Sequence, residues 1–155
     1  ERDETHFKPM IDMDMVSVNH EITAQLARSA VRASTNLPVK YVVLDTKTGR
    51  TGRYLAAFRG RKTVMAVCYR LHAQRILALS YGVVPILRTQ ELSDKYHFLV
   101  DALEFIDQYR KLQDDDLMAI VGGSFGPDGG ASYLELADVR GIRRRNEMIA
   151  AQNKR

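Results

Sequence analysis

The sequence predicts an α/β fold: a three-layer sandwich around a mostly parallel five-stranded sheet whose last strand is antiparallel. Three observations carry this. Short apolar runs at 40–45, 63–68, 83–87 and 117–121 alternate with helical spacing, the mark of βαβ units and of a sheet covered on both faces. A further strand at 132–139 follows the fourth across a loop with no helical pattern, so that pair must run antiparallel. The chain of 155 residues, 45% hydrophobic and 27% charged, is long enough for one domain with its own core.

Residues 1–17 mix methionines and acids around Pro9 without periodicity and read as a linker or N-terminal arm. The domain proper spans 18–140. Asn19 can cap a helix in which Ile22, Leu26 and Ala30 form an apolar stripe to about Thr35, and Asn36-Leu37-Pro38 stops it. After the strand 40–45, a helix over about 50–59 turns Leu55 and Phe58 inward, and Gly60 suits its C-terminal cap. The strand 63–68 ends in Cys68. The spacing of Ile76, Leu77 and Leu79 predicts a helix over 71–80, and the next strand contains Pro85, which belongs at an edge. Ser93 can cap the longest helical stripe, Leu92, Tyr96, Leu99, Leu103 and Ile106. Asp114 to Asp116 form a solvated turn, Gly122 to Gly130 a glycine-rich loop, and residues 141–155 a basic C-terminal helix or tail with Met148 and Ile149 as a thin apolar face.

Composition narrows the classes of function. A formal charge of +4, with basic residues spread out except at Arg143 to Arg145, gives no aromatic-interleaved basic surface, so nucleic acid is not expected as a partner. Water is the expected neighbour of that arginine run. No apolar run approaches the roughly 20 residues that span a bilayer, and no membrane partner is expected. The single cysteine excludes an intrachain disulfide and fits a reducing compartment, the cytoplasm. The start at Glu1 rather than methionine suggests a piece of something longer.

The clearest chemistry lies at Asp45-Thr46-Lys47-Thr48-Gly49-Arg50-Thr51. A strand, a hydroxyl-and-glycine turn and a helix N-terminus follow one another there. Unpaired N–H groups in a helix's first turn attract anions, and threonine hydroxyls with Lys47 and Arg50 add donors and charge, so a phosphate is the natural guest. An ordinary threonine-capped turn would share this local pattern. Gly122-Gly123-Ser124-Phe125-Gly126 matches the G-x-S-x-G elbow of hydrolases, yet Pro127-Asp128-Gly129-Gly130 follows where a helix is required, and no histidine occurs after His97. The segment reads instead as a loop at the carboxyl end of a strand, where ligands of open α/β sheets collect. Cys68 and His72 lack a third ligand for a metal and read as a core thiol and a helix residue. Neither the dinucleotide fingerprint nor the P-loop pattern occurs. No metal site is therefore expected in this segment.

The chain resembles the C-terminal domain of pyruvate kinase. Residues 45–51 look like that domain's phosphate-binding loop, and Arg75-Ile76-Leu77-Ala78-Leu79-Ser80-Tyr81-Gly82-Val83-Val84-Pro85 is similar to its helix-to-strand segment, the match running from about Val16 to Val139. The resemblance implies a regulatory and oligomerisation domain, catalytically silent alone, of an enzyme that transfers phosphate from phosphoenolpyruvate to ADP in a separate barrel domain of the same chain, with magnesium and potassium bound there. It implies Thr46, Lys47, Thr48, Gly49 and Thr51 as holders of a sugar-phosphate effector's phosphate, Gly126, Asp128, Gly129 and Gly130 as the loop closing over it, and a homo-oligomer, in the family a tetramer. Members activated by fructose 1,6-bisphosphate grip the second phosphate with a tryptophan and an arginine. This chain has no tryptophan and no arginine between 91 and 109, which leaves a monophosphate, or no effector, open. The alternative is a purely structural domain with a vestigial phosphate loop.

Overall fold

The structure, a computed structural model, describes residues 18–88, 97–123 and 130–154, with backbone alone at 18 and 19. Ser93, Leu92, Tyr96 and the arm 1–17 lie outside the described residues. The elements follow in the order α1 (Val18–Asn36), β1 (Val39–Thr46), α2 (Arg50–Ala57), β2 (Val64–Cys68), α3 (Leu71–Ala78), β3 (Val83–Leu87), α4 (His97–Tyr109), β4 (Leu117–Gly122), β5 (Tyr133–Asp138) and α5 (Val139–Gln152).

The sheet has the order β3-β2-β1-β4-β5, parallel except for the final pair. In β1 the side chains of Val42 and Leu44 enter one layer and Val43 the other, as the period of two requires. The first layer packs α1, α2 and α3 through Ala24, Ala27, Leu55, Phe58 and Leu77. The second packs α4 and α5 through Phe98, Leu99, Ile106, Val139 and Ile142. Both layers are closed, which is why β1, β2 and β4 read as unbroken apolar runs. Pro85 is on the outer strand β3, where a missing N–H is tolerated.

Several local readings change, beginning with Ile22 of the expected α1 stripe, which is 45% exposed. Residue Asn19 is inside α1, which already includes Val18. The left-handed residue after α2 is Arg59, at φ 53°, its guanidinium 4.8 Å from the Tyr81 ring centre. Gly60 instead gives room to Val31, whose methyl would lie 3.3 Å from an added Cβ. Leu79 is 92% exposed, because α3 stops at Ala78 and its buried stripe is Ala73 and Leu77. In α5 the buried residues are Val139 and Ile142, while Met148 is exposed; the helix begins on Asp138, whose carboxylate accepts from the N–H of Gly141 at 2.6 Å.

The arginine run is structural rather than merely solvated. Arg143 bridges Asp107 and Asp114 at 3.0 Å each, and Arg145 forks onto both oxygens of Glu135 at 2.6 and 2.8 Å. The acidic turn is likewise tied in: Asp116 accepts from Lys40 at 3.2 Å and from the N–H of Gln113 at 2.8 Å. Arg143 thereby ties α5 to the end of α4 and the turn after it, and Arg145 ties α5 to β5. Their partners are 29 and 36 residues away for Arg143, beyond the reach of a local reading.

Gly52 sits where α2 crosses α3, and a Cβ there would come within 2.7 and 2.8 Å of the Leu77 methyls. Alanine normally favours a helix over glycine by about 1 kcal/mol, but Leu77 is fully buried and overpacking costs about 1–3 kcal/mol. Gly52→Ala is therefore expected to destabilise the chain in urea denaturation. The same change in a Leu77→Ala background should stabilise it, and an equal effect in both backgrounds would show that the two residues do not meet.

Candidate functional site

The order β3-β2-β1-β4-β5 contains one reversal of direction. From β1 the chain moves outward through β2 to β3, then returns over the other face through α4 to β4. Adjacent loops therefore part between the carboxyl ends of β1 and β4, the crevice in which open α/β sheets bind ligands. The register brings Leu44 opposite Val121, so the threonine turn and the glycine-rich loop leave neighbouring strands at the same edge.

The turn is built by its own side chains. Thr46 closes β1 fully buried, and its Oγ1 accepts from the N–H of Gly49 at 2.8 Å. Thr48 is exposed, and its Oγ1 accepts from the N–H of Arg50 at 3.3 Å. Gly49 takes φ 86° and ψ −2° at the cap of α2, a left-handed conformation that costs other residues about 1–2 kcal/mol. Lys47 is half-buried, Arg50 begins α2, and Thr51 is buried. The first-turn N–H groups of Thr51 and Gly52 have no carbonyl to bond within the helix. The result is a helix N-terminus flanked by Lys47, Thr48 and Arg50, with Thr46 holding the turn from inside and Thr51 buried behind it.

The glycine-rich loop is seen at its two ends. Gly122 ends β4 and its carbonyl accepts from the N–H of Ser132 at 2.8 Å, closing the neck of the loop. Beyond Gly130, the N–H of Ala131 donates to Thr23 Oγ1 at 3.1 Å, tying the returning chain to α1. Ser124, Gly126, Asp128 and Gly129 lie outside the described residues.

Sequence reading missed two features of this edge. A recess of about 320 Å3 lies beside the turn, lined by His20 from α1 and by Arg50, Arg53 and Tyr54 from α2. Arg50 and Arg53 are three residues apart on one helix face, a signal that could have been found, whereas His20 arrives from thirty residues away. On the opposite face of the sheet, Tyr69 donates to Asp45 Oδ2 at 3.3 Å. Burial first, then the Asp45 carboxylate, pushes the Tyr69 hydroxyl far above its ordinary value. Nearby, Arg88 Nε meets Asp101 Oδ1 at 3.0 Å. Among the described residues, no three His, Cys, Asp or Glu side chains gather as a metal site.

Comparison with known proteins agrees with this architecture. The family described as pyruvate kinase, alpha/beta domain, matches residues 24–137. The chain is similar to the pyruvate kinase of Lactobacillus delbrueckii subsp. bulgaricus, 28% identical over 116 residues covering 74% of this chain and 20% of that protein. It is similar to the Borreliella burgdorferi pyruvate kinase at 25% over 139 residues, 88% of this chain and 29% of that one. To pyruvate kinase 2 of Synechocystis it is 30% identical over 98 residues, 63% of this chain and 16% of the relative. The chain thus spans less than a third of these relatives. It belongs to the pyruvate kinase alpha/beta domain family.

Cys68 is fully buried while His72 is exposed, so the pair makes no nucleophilic site. Burial pushes the thiol up from 9.0 to about 12, against a backbone hydrogen bond from Ile86 that acts to lower it. A folded-state value above the unfolded one means that this stabilisation is complete below about pH 9 and is lost as pH rises toward 12. Cys68→Ala should flatten the alkaline fall of the melting temperature relative to the parent chain. An identical fall in both proteins would show that the thiol does not carry it.

Proposed function

We propose that this chain is the regulatory and subunit-contact portion of a pyruvate kinase, and that the turn Thr46 to Thr51 holds the phosphate of a sugar-phosphate effector. The observation that carries the reading is the meeting of the threonine turn and the neck of the glycine-rich loop at the reversal between β1 and β4. A phosphate at the first turn of α2 gains from the helix dipole and from the N–H groups of Thr51 and Gly52. Lys47 and Thr48 reach it from the rim. The loop from Gly122 to Gly130 covers the sugar, with Gly126, Asp128, Gly129 and Gly130 in its span.

Phosphate transfer from phosphoenolpyruvate to ADP belongs, on this reading, to a barrel domain in the same chain of the full-length enzyme, with magnesium and potassium bound there. This segment supplies control and subunit contact and no catalytic group. The outer strand β5 supports the second role, since its far side has no partner strand among the described residues and Leu136 on it is 41% exposed. No helix of the described residues is long and apolar enough to cross a membrane.

Isothermal titration calorimetry with sugar monophosphates and bisphosphates tests the effector role. Charge-assisted hydrogen bonds contribute about 1.5–3 kcal/mol each, so Lys47→Ala with Thr48→Ala should weaken binding by more than roughly tenfold. Absence of heat with the parent chain at millimolar ligand would leave the structural role alone, with a vestigial phosphate loop.

A further inference from the structure

A cavity of about 700 Å3 opens at the amino edge of the sheet, the edge opposite the threonine turn. Its size lies within the range that small-molecule sites occupy. The floor is apolar: Val39 at the start of β1, and Met65 and Ile106, both buried, from β2 and α4. Aromatic rings form one wall. Tyr41 comes from β1, and Phe105 and Tyr109 from the last turns of α4 stand 5.1 Å apart at ring centres, tilted by 52°. Tyr109 is 73% exposed, a large ring left open to water at the mouth.

The rim has one sign of charge. Arg61 and Lys62 arrive from the segment before β2, Arg110 from the end of α4, and Lys40 from β1. Lys40 is committed to Asp116 at 3.2 Å, which leaves three cations from two separate segments around the same opening. Among the described residues, no acidic side chain lines the cavity. An apolar floor excludes a bare inorganic ion as a good fit, since it would leave most of the surface wet. Cations without a lining acid disfavour a neutral or cationic guest.

We propose that this cavity binds a small flat aromatic anion, its ring system between Tyr109 and the Met65 and Ile106 floor and its charged group against Arg61, Lys62 and Arg110. The combination of an aromatic wall with a guanidinium rim suits an aryl carboxylate or aryl phosphate, which offers a planar body and one oxyanion group within a few ångströms. The site is independent of the threonine turn and uses no residue of it.

The probe is 2-naphthoate, titrated calorimetrically into the 155-residue chain, with 2-naphthamide as its neutral counterpart and inorganic phosphate as the ring-free anion. Saturable binding of 2-naphthoate at one site is expected, with 2-naphthamide and phosphate at least roughly tenfold weaker. The Arg61→Ala, Arg110→Ala pair and, separately, Tyr109→Ser should each weaken 2-naphthoate by a similar factor. All three positions are exposed, and circular dichroism checks that the variants are folded. The Lys47→Ala, Thr48→Ala pair should leave it unchanged. The proposal is overturned if 2-naphthoate does not bind, if 2-naphthamide binds as well, if both rim variants leave affinity intact, or if the threonine-turn pair abolishes it.

Discussion

The central position of β1 governs the rest of the molecule. It is the middle strand of the five, with a parallel neighbour on each side, β2 through Val42 to Thr46 and β4 through Val39 to Leu44. Its side chains feed both layers of the core, and burying each valine or leucine contributes about 1.5–3 kcal/mol. A slip of one residue would exchange its faces, turning Asp45 into the layer filled by α1, α2 and α3 and Leu44 toward α4. Register is therefore fixed by burial on both sides. Because that register is fixed, Thr46 ends the strand at a defined height beside the end of β4, and the two carboxyl-edge loops emerge as neighbours.

The turn after β1 converts that register into an open helix start at the carboxyl edge. Thr46 folds its hydroxyl back onto the N–H of Gly49, Gly49 takes the left-handed conformation, and α2 begins with only three residues between it and the strand. Gly52 then lets α2 press against Leu77. An anion at this helix start is met chiefly by backbone, with Lys47 and Thr48 at the rim, so the turn's geometry matters as much as its charge.

Much of this was legible in the sequence because the deciding interactions are local or periodic. Unbroken apolar runs at β1, β2 and β4 follow from two-sided burial, Pro85 marked an outer strand, and the absence of a helix between β4 and β5 required an antiparallel pair. The threonine turn was legible because glycine and hydroxyl residues must fall at set places between a strand and a helix. What escaped depends on partners remote in sequence. Arg145 and Glu135 are ten residues apart and lie on different elements, and Arg143 finds its acids in α4 and the following turn. The same limit applies to the site: that Thr46 and Thr51 are buried while Thr48 is exposed, and that His20 reaches the recess beside Arg50 and Arg53, are consequences of how α1 lies on α2.

The two edges of the sheet pose opposite electrostatic problems. In a parallel α/β unit the crossover helices start at the carboxyl edge and end at the amino edge, so one edge presents helix N–H groups and the other helix carbonyls. At the carboxyl edge, α2 offers an anion its own backbone, and few charged side chains are needed. At the amino edge the ends of α2 and α4 carry the negative pole, and Arg59, Arg61 and Lys62 after α2 and Arg110 after α4 stand against it. Three of these cations, Arg61, Lys62 and Arg110, also ring the cavity of the amino edge. Any anion held at that edge must be held by side chains, and long flexible side chains select less by shape than a backbone turn does. The apolar floor and the Phe105–Tyr109 pair supply the missing shape, which is why charge alone would not define a ligand there and charge beside an aromatic wall does.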